Sequence, residues 1–343
     1  MYRFIKTQLN TQKQAADGSS IGRRLAVLAG LVLLASATAP AAWAQAWPSK
    51  PVRIIVPFTP GSGTDIIARS VGEKLSAALG QPFIIENKPG AGGTIGASQV
   101  AKSPADGYTL LVHSAGHAAN AAIYPNLNYD TVNDFAGISL LATLPNVMVT
   151  PPDGRYKNVR DVIAAAKAKP GKLNYGSAGA GSATHMNAEK FRASAQFDAV
   201  HVPYKGTPEA LTETMAGRID FFFAPLVSAL PLIKDNRLTA LAVGSAKRSS
   251  LLPDVPTTVE AGVPNSEFNF WIGMLAPANT PKDVIARLNQ EVQKVLQLPE
   301  VRERFVSLGA EPQPTSAAQF DAFIKSEVAT LGAIVKTAGI KAN

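Results

Sequence analysis

The chain has 343 residues, with 33 Lys and Arg against 25 Asp and Glu, four histidines and no cysteine. Without cysteine, disulfides, thiol catalysis and cysteine-held metals are excluded, so stability must come from burial. Five of the basic residues and one acidic residue precede Gln45; beyond it the balance is 28 against 24, too small and too dispersed for a nucleic-acid surface.

The first 44 residues read as a signal peptide. A basic stretch (Arg3, Lys6, Lys13, Arg23, Arg24) precedes an apolar run over residues 25–39, and Ala42-Trp43-Ala44 offers a small-x-small cleavage site before Gln45. The run is shorter than the ~20 apolar residues a membrane span needs. No cysteine follows it for lipid attachment, and the Arg23-Arg24 pair leaves the export route open. A free protein of 299 residues outside the cytoplasm is expected.

Short apolar strands then alternate with helices. Residues 52–56, β-branched and bounded by prolines, predict a buried strand. Ile67, Val71, Leu75 and Leu79 recur at i+4 as one helix face that ends at Gly80. A strand over 83–86, a helix over 94–102 and a strand over 109–113 follow, the pattern of a parallel sheet with helices on its faces. In the second half Asn158 caps a helix over 159–169, 173–175 is a strand, and a helix starts near Ser182. Strands over 199–202, 219–223 and 238–243 enclose a helix over 209–216 capped by Thr207. Residues 268–275 are again apolar. Thr280-Pro281-Lys282-Asp283 predicts a capping box with proline at the first helical position, and amphipathic helices are expected near 299–308 and 316–340. Two such blocks predict two α/β lobes with a ligand cleft beyond the carboxyl ends of their strands.

Three glycine-rich loops sit at strand ends: RIIVPFTPGSGTDIIAR, FIIENKPGAGGTIGASQ and KLNYGSAGAGSATHMNAEKF. A glycine loop opening a helix offers free backbone N–H groups at the positive end of the helix dipole, an anion site. The phosphate-loop pattern GxxxxGK[ST] is absent, and the dinucleotide pattern GxGxxG fails in register at Ile66 and Ile95. Lys88 is the only cation in the first two loops, whereas Thr59, Ser62, Thr64, Thr94, Ser177, Ser182 and Thr184 supply hydroxyls. Neutral donors without a cation suit a carboxylate better than a pyrophosphate.

No GxSxG, SxxK, HExxH or paired-histidine spacing is present, so no catalytic residue, cofactor or metal is expected. His117 and His185 follow glycine-containing strand ends, where cleft hydrogen bonding and packing are both open. Asp65 reads first as a helix cap, Asp220 as structural, and Trp271 as a cleft residue with core packing the alternative. Tyr204 and Lys205, in HVPYKGT, face ligand or solvent.

The ordered strings WPSKPVRIIVPFTPGSGTD, ENKPGAGGTIGA, ADGYTLLV, PGKLNYGSAGAGSATH, HVPYKG and LLPDVPTTVEAG resemble the Bug family of periplasmic solute-binding proteins, receptors of tripartite tricarboxylate transporters. The resemblance runs from about Trp47 to the end. It implies a two-lobed type II periplasmic-binding fold, one lobe formed by residues 46–146 plus 269–343 and the other by 147–268. It also implies that a small carboxylate, a di- or tricarboxylate or an aromatic acid, is held by the first lobe through Phe58, Gly61, Ser62, Thr64, Asp65, Ala91, Gly92, Gly93, Ser114 and His117. The second lobe would supply Ser177, Gly179, Ser182 and His185 to the far end, with Tyr204 and Ala224 nearby. Two departures stand out: Gly61-Ser62 replaces a common Gly-Gly, and Ala224 replaces a frequent aspartate, which disfavours an amino-bearing ligand. Expected partners are the large and small permease subunits, with the receptor a monomer. A periplasmic sensor feeding a signalling system, and a secreted α/β enzyme acting on a carboxylate, are the competing readings.

Overall fold

The computed structural model describes residues 47–341, so the predicted signal peptide and its cleavage site lie outside the described residues. From Pro48 onward the chain forms one compact unit that contains two sheets.

The first sheet has six strands, with β1 (Val52–Val56) flanked by β2 (Phe83–Asn87) and β3 (Thr109–Ser114), all parallel. β10 (Trp271–Pro277) runs antiparallel between β3 and β4 (Phe135–Thr143), and the short β11 (Glu311–Pro312) closes the edge. The second sheet orders β7 (Val200–Pro203), β6 (Asn174–Ser177), β8 (Phe221–Pro225), β5 (Asn146–Thr150) and β9 (Thr239–Val243); β5 is antiparallel to both neighbours. The chain crosses between the sheets at Leu144-Pro145 and returns through Phe268–Phe270.

Helix α1 (Gly63–Leu79) buries Ile67, Val71 and Leu75 as its spacing predicts, each such side chain contributing roughly 1.5–3 kcal/mol. Gly80 ends it in the left-handed region, with its N–H on the Ser76 carbonyl at 3.1 Å. After a 3-10 turn at Ala91–Gly93 come α2 (Thr94–Ala101) and α3 (Gly116–Ile123). Helix α4 (Val159–Ala168) is capped as predicted by Asn158, whose side chain accepts the Asp161 N–H. Helices α5 (Ala183–Ala195), α6 (Thr207–Met215) and α7 (Leu226–Lys234) flank the second sheet; α8 (Lys282–Gln297), α9 (Pro299–Ser307) and α10 (Ala317–Ala338) belong with the first.

Some elements depart from the sequence reading. Strands β4 and β5 are buried almost throughout on both faces, polar residues such as Ser139 and Asn146 included, so no apolar–polar alternation marks them. Helix α7 is obscured by the internal Pro231. Gly206, not Thr207, is the N-cap of α6. The box at Thr280 does not form, because its hydroxyl donates to the Pro277 carbonyl at 2.7 Å and Pro281 takes the cap position. Trp271 faces the core: its indole N–H donates to Glu327 at 2.7 Å and its ring packs edge-on against Phe320 and Phe323. Asp220 is structural, accepting the Asn174 N–H at 2.8 Å as well as Arg155 and Tyr156.

Candidate functional site

The carboxyl ends of β1, β3, β6 and β8 face one another, and the loops leaving them close on a narrow cavity of about 10 Å³. Phe58, Ser62, Gly63, Thr64 and Ser114 line it from the first sheet's side; Ala178, Ser182, Ala183, Thr184, Thr207 and Pro225 line it from the second. Phe270, on the returning crossover, closes the back. None of these side chains carries a charge. The amino ends of α1, α5 and α6 all reach this space, and first-turn N–H groups have no acceptor within their own helix. Such termini carry partial positive charge, so the lining is neutral by residue type yet electropositive by backbone.

The first loop is fixed by Asp65. Its carboxylate accepts the Gly61 N–H at 2.9 Å, Arg69 at 2.9–3.0 Å and the Asn87 amide at 2.8 Å. Asn87 also donates to the Phe58 carbonyl at 2.9 Å, which ties the strand end to the helix start. Asp65 is therefore committed to shaping the loop, and Gly61 offers its carbonyl to Ser228 at 3.0 Å.

The second loop is built on positive φ angles at Ala91, Gly92 and Gly93, and it meets the third loop rather than the cavity. A β-carbon on Gly92 would overlap the Ala180 carbonyl oxygen. One on Gly93 would strike the His113 ring beneath it. Tyr124 completes the contact, its hydroxyl donating to the Ala180 carbonyl at 2.9 Å. The backbone of Ala91 is strained but its side chain is exposed.

The third loop is held by side chains. Thr184 accepts the Ala178 N–H at 2.9 Å and bonds the Ser182 hydroxyl at 3.0 Å, while Ser182 caps α5 by accepting the His185 N–H. His185 Nδ1 accepts the Gly181 N–H at 3.1 Å. Ser177 accepts the Gly179 N–H at 3.0 Å and lies 2.6 Å from His201 Nε2. The His185 and His201 rings stack at 3.9 Å, with Tyr175 stacked on His201 at 5.0 Å. Burial is the first cause that lowers both histidines, His185 to about 4 and His201 to about 3. Both are neutral at physiological pH. Beneath them the Tyr175 hydroxyl donates to buried Glu189, which Arg192 also grips at 2.8 Å.

Of the residues expected at the ligand, Phe58, Ser62, Thr64, Ser114 and Ser182 come together on the cavity. Gly61, Asp65, Gly92, Gly93, Ser177, Gly179 and His185 shape the loops around it. His117 does neither. It is fully buried inside the first sheet's core, donating from Nε2 to the Thr131 carbonyl at 3.2 Å and packed against Tyr129 and Phe135. Ala224 likewise points into the second sheet's core with Val147 and Leu226, and it is Pro225 that faces the cavity. The missing aspartate at Ala224 therefore bears on core packing in this form. Tyr204 is half-buried behind the third loop, its N–H on the Ser177 carbonyl at 3.0 Å. Sequence reading missed Gly63, Ala183, Thr207, Pro225 and Phe270. Thr207-Pro208 was legible as a helix start, but nothing in the sequence shows that this start faces the first loop. Among the described residues no group of three His, Asp or Glu side chains could hold a metal ion.

Comparison with known proteins decides the family. The model for the tripartite tricarboxylate transporter family receptor matches residues 67–340. The chain belongs to this family. BugT of Bordetella pertussis is 34% identical over 321 residues, spanning 93% of this chain and 98% of its own. A Rhodopseudomonas palustris protein solved with adipate superposes with a TM-score of 0.83 at 35% identity, over 86% of this chain and 99% of that one. MatC of Rhodopseudomonas palustris, solved with bound malate, gives 0.81 at 31% identity, over 84% and 100%. The resemblance drawn from the glycine-loop strings thus holds, and the receptor is a solute-binding protein with the two-lobed periplasmic-binding fold.

Proposed function

We propose that this receptor closes on a small dicarboxylate outside the cytoplasm and hands it to the large and small permease subunits of a tripartite tricarboxylate transporter. The observation that carries the reading is the convergence of helix amino termini from both sides of the cleft, α1 from one and α5 from the other, on one uncharged cavity. An acid with a carboxylate at each end would be matched at both walls without any cation. The adipate and malate held by two relatives are both diacids, which supports the same class. A diacid bridging the two loop systems binds the closed arrangement better than the open one, so ligand shifts the population toward closure.

In this reading residues 46–146 plus 269–343 form one lobe and 147–268 the other, in keeping with the strands each sheet contains. Residues 1–44 direct export and are removed before Gln45, and the receptor works as a monomer. No helix among the described residues is long and apolar enough to cross a membrane.

Thermal-shift screening of the purified protein tests the ligand class. Dicarboxylates should raise the melting temperature, as a ligand at a hundredfold excess over its Kd stabilises by about 2.7 kcal/mol. Their monoamides and the matching monoacids should do so far less. If neutral analogues stabilise as well as diacids, the reading fails. Uptake in cells lacking either permease subunit tests the transport role: loss of uptake without loss of binding is expected.

A further inference from the structure

Ser62 stands at the N-cap of α1 with the extended backbone of a capping residue (φ −66°, ψ 152°), yet its hydroxyl makes no hydrogen bond to its own helix. Serines in the same place elsewhere do cap: Ser182 accepts the His185 N–H and Ser316 the Gln319 N–H. The Ser62 oxygen instead accepts the Thr207 N–H at 3.2 Å, across the cleft at the amino end of α6. That helix has Gly206 as its own N-cap, with no side chain to offer. A β-carbon on Gly206 would collide with the Thr59 hydroxyl and lie 2.9 Å from the Ser62 oxygen. The two positions are complementary. One serine leaves its own helix uncapped, and one glycine makes room for that serine to cap another helix. The contact is braced on both sides, by Thr59 donating to Glu209 at 3.0 Å and by Ser228 donating to the Gly61 carbonyl at 3.0 Å.

Ser62 and Thr207 both line the cavity. An oxygen at the first N–H of a helix occupies the place an anionic ligand oxygen would take. The Ser62 hydroxyl therefore fills α6's donor from within the protein and removes volume between α1 and α6. The ligand is left with the first-turn N–H groups of α1 and of α5, where Ser182 takes only the His185 N–H. We propose that Ser62 sets the length of the diacid this receptor accepts, favouring a four-carbon over a six-carbon chain. The proposal rests on the dicarboxylate reading above.

Ser62→Gly removes both oxygen and β-carbon; Ser62→Ala removes the oxygen alone. Isothermal titration of the wild type and both variants with succinate, glutarate and adipate gives the test. The wild type should bind succinate at least tenfold more tightly than adipate. Ser62→Gly should lower that ratio at least tenfold, chiefly by gaining adipate, and Ser62→Ala should move it the same way by less. A purely structural role would weaken all three acids together and leave the ratio unmoved. An unchanged ratio in both variants overturns the proposal, as does a wild type that prefers adipate. If no diacid binds any of the three folded proteins, the dicarboxylate reading itself falls and takes the length gate with it.

Discussion

The two walls of the cleft hold their glycine loops by different means. On the first sheet's side the loops are shaped by backbone: positive φ angles at Gly61, Gly92 and Gly93, and the Asp65 carboxylate collecting N–H groups from three directions. On the second sheet's side the loop also turns on positive φ angles at Gly179 and Gly181, but it is held in addition by small side chains and rings: Ser177, Thr184 and the stacked His185 and His201. A wall built on backbone tolerates few substitutions. A wall built on side chains can be altered one group at a time.

Acid should separate the walls most strongly. The folded-state values of His185 and His201, about 4 and about 3, lie below the ordinary 6.5, so between these limits the unfolded chain binds more protons than the folded one. Stability is complete above about pH 6.5 and is lost as pH falls toward 4, on the order of 1 kcal/mol per pH unit for each histidine. His117, held at about 4 by burial, and His113, pushed well below 6.5 by burial, add to the loss from the first side; His117 bears on no loop, and His113 lies beneath Gly93 of the second loop rather than at Gly61. Protonating His185 Nδ1, by contrast, removes the acceptor of the Gly181 N–H. Melting temperature should fall from pH 7 to pH 4.5, and exchange of the Gly181 amide, corrected for its intrinsic rate, should rise before that of Gly61. Equal protection of both loops at pH 4.5 would erase the distinction.

Gly92→Ala tests the backbone wall. Its left-handed φ of 61° costs an L-residue about 1 kcal/mol, and the added methyl meets the Ala180 carbonyl only when the loops touch. Ligand affinity should fall roughly 100-fold, about 2.7 kcal/mol. Gly80→Ala is the control, with a similar φ of 69° and nothing within 4 Å of the new methyl. It should cost stability but leave affinity unchanged; similar affinity losses in both would refute a closure role for Gly92. Asp65→Asn places an amide where Gly61 N–H and Asn87 already donate, and it leaves Arg69 without a charge partner. A loss of about 2 kcal/mol in urea unfolding is expected, and a loss below about 0.5 kcal/mol would show that the loop holds its shape without this carboxylate.

Much of this arrangement was legible in the sequence. The buried strands β1 and β3, the face of α1 with its Gly80 stop, and the Asn158 cap follow from local periodicity and capping chemistry. The glycine loops announced the cleft. What stayed hidden was contact between distant segments. Ser62 reads as one of several loop hydroxyls near the ligand, and only the fold brings Thr207 to it from 145 positions away. His117 looks like a strand-end cleft residue because sequence gives its neighbours along the chain, but not Tyr129 and Phe135, which enclose it. Ala224 and Pro225 are adjacent, and which of them faces ligand depends on where β8 gives way to α7.

The smallest expected effect probes the second wall one atom at a time. Thr184→Val keeps the shape of the side chain but removes the oxygen that accepts the Ala178 N–H and bonds Ser182. A buried N–H without a partner costs about 1 kcal/mol or more. The fold should survive, since the remaining anchors of the loop, His185 on Gly181 and Ser177 on Gly179, are untouched. What changes is the polarity of one edge of the cavity, because Thr184 and Ser182 both line it. Thr184→Val should therefore lower stability slightly and shift the ranking among diacids that differ in a hydroxyl, such as malate and succinate. Thr184→Ser should restore both. A ranking that ignores the Thr184 oxygen would mean that the third loop meets the ligand through its backbone and not through this side chain.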